Sequence, residues 1–166
     1  MSKLAANLLS VLALVLLVTT GAAQATEQRK DEIKLDGGTH DLLSFPLGFP
    51  EDWSKPAEAN LRGVCSGAWR GYQAFWEVRD EVLWLVKVLD NPCGHDHREI
   101  PLNLIVANAG PAPLPATWIS GRLLVGYDGF VENQNPKLNY KRYLMLTLEQ
   151  GRITKREFQD RRLFVQ

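Results

Sequence analysis

The placement of two cysteines constrains the fold of this chain more than any other feature of its sequence. Cys65 and Cys93 lie at equal distances from residue 79, and two largely apolar runs, 69–78 and 82–89, lie between them. Such runs, joined by a short polar turn, predict a β-hairpin. Each cysteine then follows the open end of the hairpin, so we predict a Cys65–Cys93 disulfide. Closing this loop would stabilise the fold by ~3.5 kcal/mol through the entropy of the unfolded chain.

The alternation of side chains along the two strands predicts which residues share a face of the hairpin. Pairing about Asp80 sets Trp76 against Trp84 and places both in an apolar face that packs on the core. The opposite face is then mixed, with Leu83 and Leu85 among polar residues. This register predicts an aromatic cross-strand pair, Trp76–Trp84, within the core.

Short strand patterns continue through the rest of the chain, and no long helical period interrupts them. One helical turn is expected near residues 55–62, and residues 100–107 fit a strand or a short helix equally well. Together with the hairpin, the patterns predict about seven or eight strands, which favours an all-β domain of antiparallel hairpins in a single sandwich or open barrel, with at most one short helix. The strands expected outside the hairpin are 32–35, 40–45, 116–126, 140–149 and 153–158.

The N-terminus has the three parts of a cleavable secretory signal. Lys3 precedes a long apolar run, and an A-x-A cleavage site ends at Ala25. An uncleaved membrane anchor is the alternative, because residues 4–23 are just long enough to cross a bilayer. We predict a cleaved signal over 1–25, a single domain over 26–166, and a periplasmic or secreted location. An oxidising compartment also permits the disulfide.

The charge of the chain argues against several classes of partner. Basic and acidic residues both number 19, and the expected signal contains only one of them, Lys3. A nearly neutral domain offers no electrostatic footprint for nucleic acid or an anionic membrane, so we expect no nucleic-acid partner and no stable membrane insertion after cleavage. We also expect no cofactor, because the sequence lacks a glycine-rich phosphate loop and the G-x-S-x-G and H-E-x-x-H motifs.

Three segments together resemble a group of uncharacterised bacterial proteins. The most specific is W-R-G-Y-x-A-x-W-E at residues 69–77, and a W-x-S-G-x-L segment occupies residues 118–123. The third runs from the Asp-Gly-Gly turn at 36–38 to Leu47. The resemblance spans most of the expected mature domain and implies a β-rich fold, but it carries no activity. This chain departs from the group in its export signal and its cysteine pair.

Four residues are candidates for a binding surface: Trp69, Arg70, Tyr72 and Trp118. Tryptophan, tyrosine and arginine dominate the energetics of protein interfaces, and three of these residues stand together in the most specific segment. The alternative is structural. In that interpretation the aromatic rings fill the end of the core and Arg70 pairs with a carboxylate such as Glu77.

Two further groups contain residue types used in catalysis. His95 and His97 would point the same way in an extended segment and could hold a metal ion, although a solvated loop beside an oxidised cysteine is the simpler interpretation. His40, Asp41 and Ser44 contain the residue types of a hydrolase triad, but nothing in their spacing brings them together. We therefore assign no catalytic residue.

Three functions stay open at this point. The leading one is an exported, non-enzymatic interaction protein of the bacterial envelope, an inhibitor, protective or accessory factor that binds another envelope protein. The second is a domain that binds a small ligand or glycan, with Trp69, Tyr72, Trp84 or Trp118 as the stacking platform. The third is a metal-dependent envelope hydrolase built on His95 and His97.

Overall fold

The computed structural model describes residues 26–62, 64–130 and 140–159, which form a closed β-barrel of seven strands with one additional short strand. The expected signal over 1–25 lies outside the described residues and stays a prediction. Within the described ranges, no helix has the length and apolar character needed to cross a membrane.

The secondary structure confirms the all-β prediction. Only one α-helix occurs in the described ranges, α1 (Pro56–Ala59), and residues Pro50–Asp52 and Leu102–Leu104 form short 3-10 turns. The strands are β1 (Asp31–Leu35), β2 (Gly38–Leu42), β3 (Tyr72–Arg79), β4 (Val82–Asp90), β5 (Leu114–Pro115), β6 (Gly121–Phe130), β7 (Tyr140–Glu149) and β8 (Arg152–Gln159).

The barrel closes in the order β3-β1-β2-β6-β7-β8-β4 and back to β3, with β5 added at β4. All pairs are antiparallel except β1 and β3, which run parallel. Parallel strands cannot be joined by a tight turn, so a long connection must link this part of the sheet. That connection, residues 43–71, carries two of the four candidate binding residues, Trp69 and Arg70.

The hairpin predicted over 69–89 is present, but the predicted register is wrong. Asp80 and Glu81 form a two-residue turn with φ angles of 49° and 58°, a left-handed geometry typical of tight hairpins. Arg79 therefore pairs with Val82, and Glu77 with Trp84. Pairing about Asp80 corresponds to a three-residue turn over 79–81, whereas the observed turn has two residues. This difference shifts the register by one position, and such a shift moves the side chains of one strand to the opposite face.

The corrected register exchanges the two faces of β4 only from Val82 to Leu85, since Val88, beyond a bulge, is buried. Leu83 and Leu85 are fully buried, and Leu85 lies opposite Trp76 in the core. Trp84 is only half-buried on the other face, so the predicted Trp76–Trp84 pair does not form. A bulge between Phe75 and Trp76 shifts the register again toward the open end of the hairpin.

The core is formed by inward-facing side chains of the strands and by residues of the long connections. Alternate leucines of β7, namely Leu144, Leu146 and Leu148, share the inward face and are all buried. The predicted strand 116–126 is wrong in its first half. Residues 116–120 form a turn, in which the Ile119 amide donates to the Ala116 carbonyl at 2.9 Å, and β6 begins only at Gly121.

Candidate functional site

Arg70 is buried and pairs with a carboxylate on β1. Its Nη1 lies 3.2 Å from Oδ1 of Asp31, and both side chains are almost completely enclosed. Nη2 of Arg70 also donates to the Arg29 carbonyl at 2.9 Å. The structural interpretation of Arg70 therefore identified the right kind of contact and the wrong partner, because Glu77 pairs with Arg79 and Lys34 on the outer face.

Asp31 also connects the ion pair to β3, the strand that lies beside β1 in the sheet. Its carboxylate accepts hydrogen bonds from the Ala74 amide at 3.1 Å and from Nε1 of Trp76 at 3.4 Å. Burial raises the pKa of the Asp31 carboxyl, and the Arg70 guanidinium and these hydrogen bonds oppose that shift. A buried charge that loses its partner is strongly destabilising, so Arg70 and Asp31 act as one structural unit.

The Arg70 guanidinium also lies over two aromatic rings, that of Phe45 in the connection and that of Tyr72 at the start of β3. Its guanidinium carbon lies 3.7 Å from the ring centre of Phe45 and 4.6 Å from that of Tyr72. Tyr72 is fully buried and donates from its hydroxyl to the Gly48 carbonyl at 2.6 Å, and burial raises its pKa to about 12. Arg70 and Tyr72 therefore lie beneath the surface and support the loop around Phe45.

Above this support lies a group of exposed apolar side chains, which we call the Trp69 surface. It consists of Phe45, Phe49, Val64 and Trp69, whose exposed fractions are 37%, 40%, 65% and 55%. The rings of Phe49 and Trp69 are in contact, with centroids 5.2 Å apart. Phe45 lies against Arg70 and Val64 beside Gly71, so all four side chains lie close to the segment 69–71. Exposed apolar side chains that cluster mark interaction sites more often than scattered ones do.

The backbone beneath the Trp69 surface is held from two sides. Gln28 accepts a hydrogen bond from the Trp69 amide at 3.2 Å and donates to the Ser66 carbonyl at 2.7 Å. The predicted disulfide is confirmed, because Cys65 and Cys93 are bonded with their Cα atoms 6.7 Å apart. Gln28 thus attaches the segment from Cys65 to Trp69 to the N-terminal residues, and the disulfide attaches it to the open end of the hairpin.

Trp118 lies away from these residues in the sequence and belongs to a different feature. It is 40% exposed and lines an apolar groove of about 310 Å³ together with Leu47, Trp53, Ile105 and Val106. Trp84, the other tryptophan considered as a stacking platform, is half-buried, and its Nε1 is enclosed without a hydrogen-bond partner among the described residues.

A polar cleft of about 430 Å³, which we call the Lys30 cleft, lies on the outer face of β1, β2 and β3. Glu32 of β1 and Asp41 of β2 are directly opposite each other in the register and both line it. The remaining lining residues are Glu27, Gln28, Arg29, Lys30, Gly67, Gln73 and Cys93. The sequence analysis did not single out this group, because its members come from strands and loops that are far apart in the sequence.

Tyr140 of β7 reaches this face across a glycine. A Cβ atom at Gly126 would lie 2.5 Å from the Tyr140 ring, so the ring occupies the space that a side chain on β6 would fill. The Tyr140 hydroxyl donates to Asp41 and accepts from Nζ of Lys30 at 2.8 Å. Burial, followed by the contact with Asp41, raises the pKa of Tyr140, so its hydroxyl keeps its proton and fixes both neighbours.

The possible catalytic groups are not assembled. Nδ1 of His97 lies 3.0 Å from the Asn91 carbonyl, and no three His, Cys, Asp or Glu side chains of the described part of the chain are placed to hold a metal ion. His40 stacks on Tyr127, whereas its neighbour Asp41 projects to the outer face and bonds Tyr140. Ser44 accepts from the Leu124 amide at 2.9 Å, so the triad residues have separate partners.

The fold and these features define a small disulfide-bonded β-barrel whose candidate sites are surfaces and clefts. No family model matches the chain, and no curated protein or solved structure matches it. The resemblance to uncharacterised bacterial proteins therefore stays a prediction. Because one fold serves many functions, any functional conclusion must rest on the local chemistry of the sites.

Proposed function

We propose that this protein is an exported, non-enzymatic interaction protein of the bacterial envelope that binds another protein through the Trp69 surface. The observation that carries the proposal is the exposure of Phe45, Phe49, Val64 and Trp69 above a buried ion pair. Aromatic side chains contribute most of the affinity at many protein interfaces, especially when their positions are fixed before binding.

The support beneath the surface strengthens this interpretation. Arg70 is enclosed with Asp31 and stacked on Phe45, and Gln28 fixes the Trp69 backbone. A buried ion pair contributes little net stability compared with apolar packing, so its presence needs another reason. Such a reason would be that the ion pair holds the exposed rings of Phe45 and Trp69 in a fixed arrangement.

Location and mode of action belong to the same proposal. The Cys65–Cys93 bond suits an oxidising compartment, and the expected signal over 1–25 would deliver the chain to the periplasm or the exterior. There the protein would act by covering or stabilising its partner, as an inhibitor, protective or accessory factor does.

A photocrosslinking experiment in the organism that encodes the protein tests this proposal. A photoreactive phenylalanine analogue is placed at position 49, 64 or 69, and at the exposed control positions Arg122 and Thr154. We expect one crosslinked protein partner from the three positions of the Trp69 surface and none from the controls. Adducts of equal yield at all five positions, or none at any, would reject the proposal.

A further inference from the structure

The Lys30 cleft has the features of a binding site, and none of the four residues that define the Trp69 surface lines it. Its volume of about 430 Å³ falls within the range of small-molecule sites, about 300–1,000 Å³. Its lining is dominated by side chains that form directional hydrogen bonds. We propose that the Lys30 cleft binds a neutral, polyhydroxylated ligand of the saccharide class.

The charges of the lining select the ligand class. Three carboxylates, Glu27, Glu32 and Asp41, are mixed with the cations Arg29 and Lys30. A phosphate or a carboxylate ligand would meet the three acidic groups, and a compact metal ion would meet the two cations. A sugar hydroxyl donates one hydrogen bond and accepts others, so vicinal hydroxyls suit a lining in which donors and acceptors alternate.

The lining residues keep hydrogen-bonding capacity that no described residue uses. Gln73 donates to one oxygen of Glu32 at 3.4 Å, and Tyr140 donates to one oxygen of Asp41. The second oxygen of each carboxylate accepts no hydrogen bond from the described residues. Lys30 has three N–H donors and directs two of them, to Glu27 at 2.6 Å and to Tyr140 at 2.8 Å.

These side chains are also fixed before a ligand arrives. Gln73 is 7% exposed, and its amide donates to the Lys30 carbonyl at 2.8 Å while its oxygen accepts from Arg29 at 3.4 Å. Tyr140 holds Lys30 and Asp41 through a single hydroxyl. Groups locked by such neighbours lose little conformational entropy on binding.

The opposition of Glu32 and Asp41 disfavours the empty cleft. Like charges directly opposite each other on neighbouring strands are destabilising. Hydroxyl donors from a sugar would be shared between the two carboxylates and would offset their repulsion. Glu32 and Asp41 thus behave as functional residues that lower the stability of the fold. Removing the charge of one of them should raise the stability of the protein and weaken binding of the ligand.

Titration by nuclear magnetic resonance tests the proposal on the folded protein. The probes are the disaccharides maltose, cellobiose, trehalose and di-N-acetylchitobiose, each at up to about 10 mM, which is ten times a millimolar dissociation constant. Sodium phosphate and magnesium chloride are tested in parallel. We expect at least one disaccharide to shift the Gln73 side-chain amide and the backbone amides of Glu32 and Asp41, with the two salts causing no comparable shift.

Two variants and a matched control complete the test. Glu32→Gln should weaken binding of that disaccharide at least tenfold and raise the thermal midpoint, whereas Glu51→Gln, in the exposed turn at 50–52, should change neither. Gly126→Ala should weaken binding by displacing Tyr140. The proposal is overturned if no disaccharide shifts the cleft residues, or if phosphate or magnesium shifts them instead. The Trp69 surface takes no part in this test, so its outcome is independent of the proposed function.

Discussion

The guanidinium carbon of Arg70 lies 3.7 Å from the ring centre of Phe45, with Asp31 on the buried side of the same guanidinium. One side chain thus connects the closed wall of the barrel to an exposed aromatic ring. This contact explains why a charged residue is enclosed in the most specific segment of the sequence. It also links the stability of the barrel to the arrangement of the surface that we propose binds a partner.

Removing one partner of the buried pair should be severely destabilising. In Arg70→Met the Asp31 carboxylate would stay buried without its cation, so the free energy of unfolding should fall by about 3–5 kcal/mol. Urea unfolding followed by tryptophan fluorescence measures this change. The double variant Asp31→Leu/Arg70→Met should recover part of the loss, because no unpaired charge remains.

The control for this prediction is an ion pair on the outer face. Lys34 lies 3.8 Å from Glu77 and is largely exposed, so Lys34→Met should change stability by less than about 1 kcal/mol. If Arg70→Met proved as mild as Lys34→Met, the buried pair would have no structural role.

Truncations of leucines along β4 test the corrected register. Leu85 is fully buried opposite Trp76, so Leu85→Ala should destabilise the protein by about 2–5 kcal/mol. Leu89, on the same strand, is half-buried, and Leu89→Ala should have a smaller effect. Equal and small effects would instead fit the register paired about Asp80, which places Leu85 on the mixed face.

The error in the predicted register of the hairpin shows which part of the fold could be predicted from the sequence. Local alternation identified β7 and β8 nearly to their ends, and the symmetry of the cysteines identified the disulfide. The register depended on a two-residue turn at Asp80 and Glu81, where neither residue is the glycine or asparagine that usually marks left-handed backbone.

The candidate sites depend on contacts that no local pattern encodes. Asp31 reaches Arg70 only because β1 and β3 run parallel, a pairing between segments that are remote in sequence. Tyr140 reaches Asp41 only because Gly126 leaves space between them. The sequence therefore named Trp69 as a candidate but could not assign Arg70 its partner or identify the Lys30 cleft.

Acid should weaken the structure around the open end of the hairpin. Asp90 is fully buried, and its carboxylate forms ion pairs with Arg62 at 3.1 Å and with Arg98 at 3.0 Å. Burial by itself would raise the pKa of the Asp90 carboxyl, but the hydrogen bonds from Arg62 and Arg98 lower it below its usual range. Its contribution to stability is therefore present above the unfolded value of about 3.9 and is lost as pH falls through the lower folded value.

Unfolding measured between about pH 2 and pH 7 checks this linkage, with Asp90→Asn as the comparison. Wild type should lose stability more steeply than Asp90→Asn as the pH falls below about 4, since the variant has no carboxylate to protonate at this position. Parallel acid profiles would show that Asp90 contributes no pH-dependent stability.

Loss of the disulfide should release the connection that carries Trp69. The double variant Cys65→Ser/Cys93→Ser should lose about 2–4 kcal/mol of stability, near the ~3.5 kcal/mol expected for a loop of this length. Hydrogen exchange should become faster at the amides of 64–71, while β7 amides stay protected in the folded state. Unchanged exchange at 64–71 would mean that contacts with the N-terminal segment and β1 hold these residues without the disulfide.

The measurement that tests the central claim most directly is the affinity of the crosslinked partner, once identified and purified, for surface variants of this protein. The double variant Phe49→Ala/Trp69→Ala removes two exposed rings of the Trp69 surface, and Lys155→Ala on β8 is the control. We predict that the double variant binds at least about 30-fold more weakly, the effect of losing about 2 kcal/mol at an interface hot spot, while Lys155→Ala binds like wild type. Equal affinity of the wild type and the double variant would contradict the claim that this surface is where the protein binds.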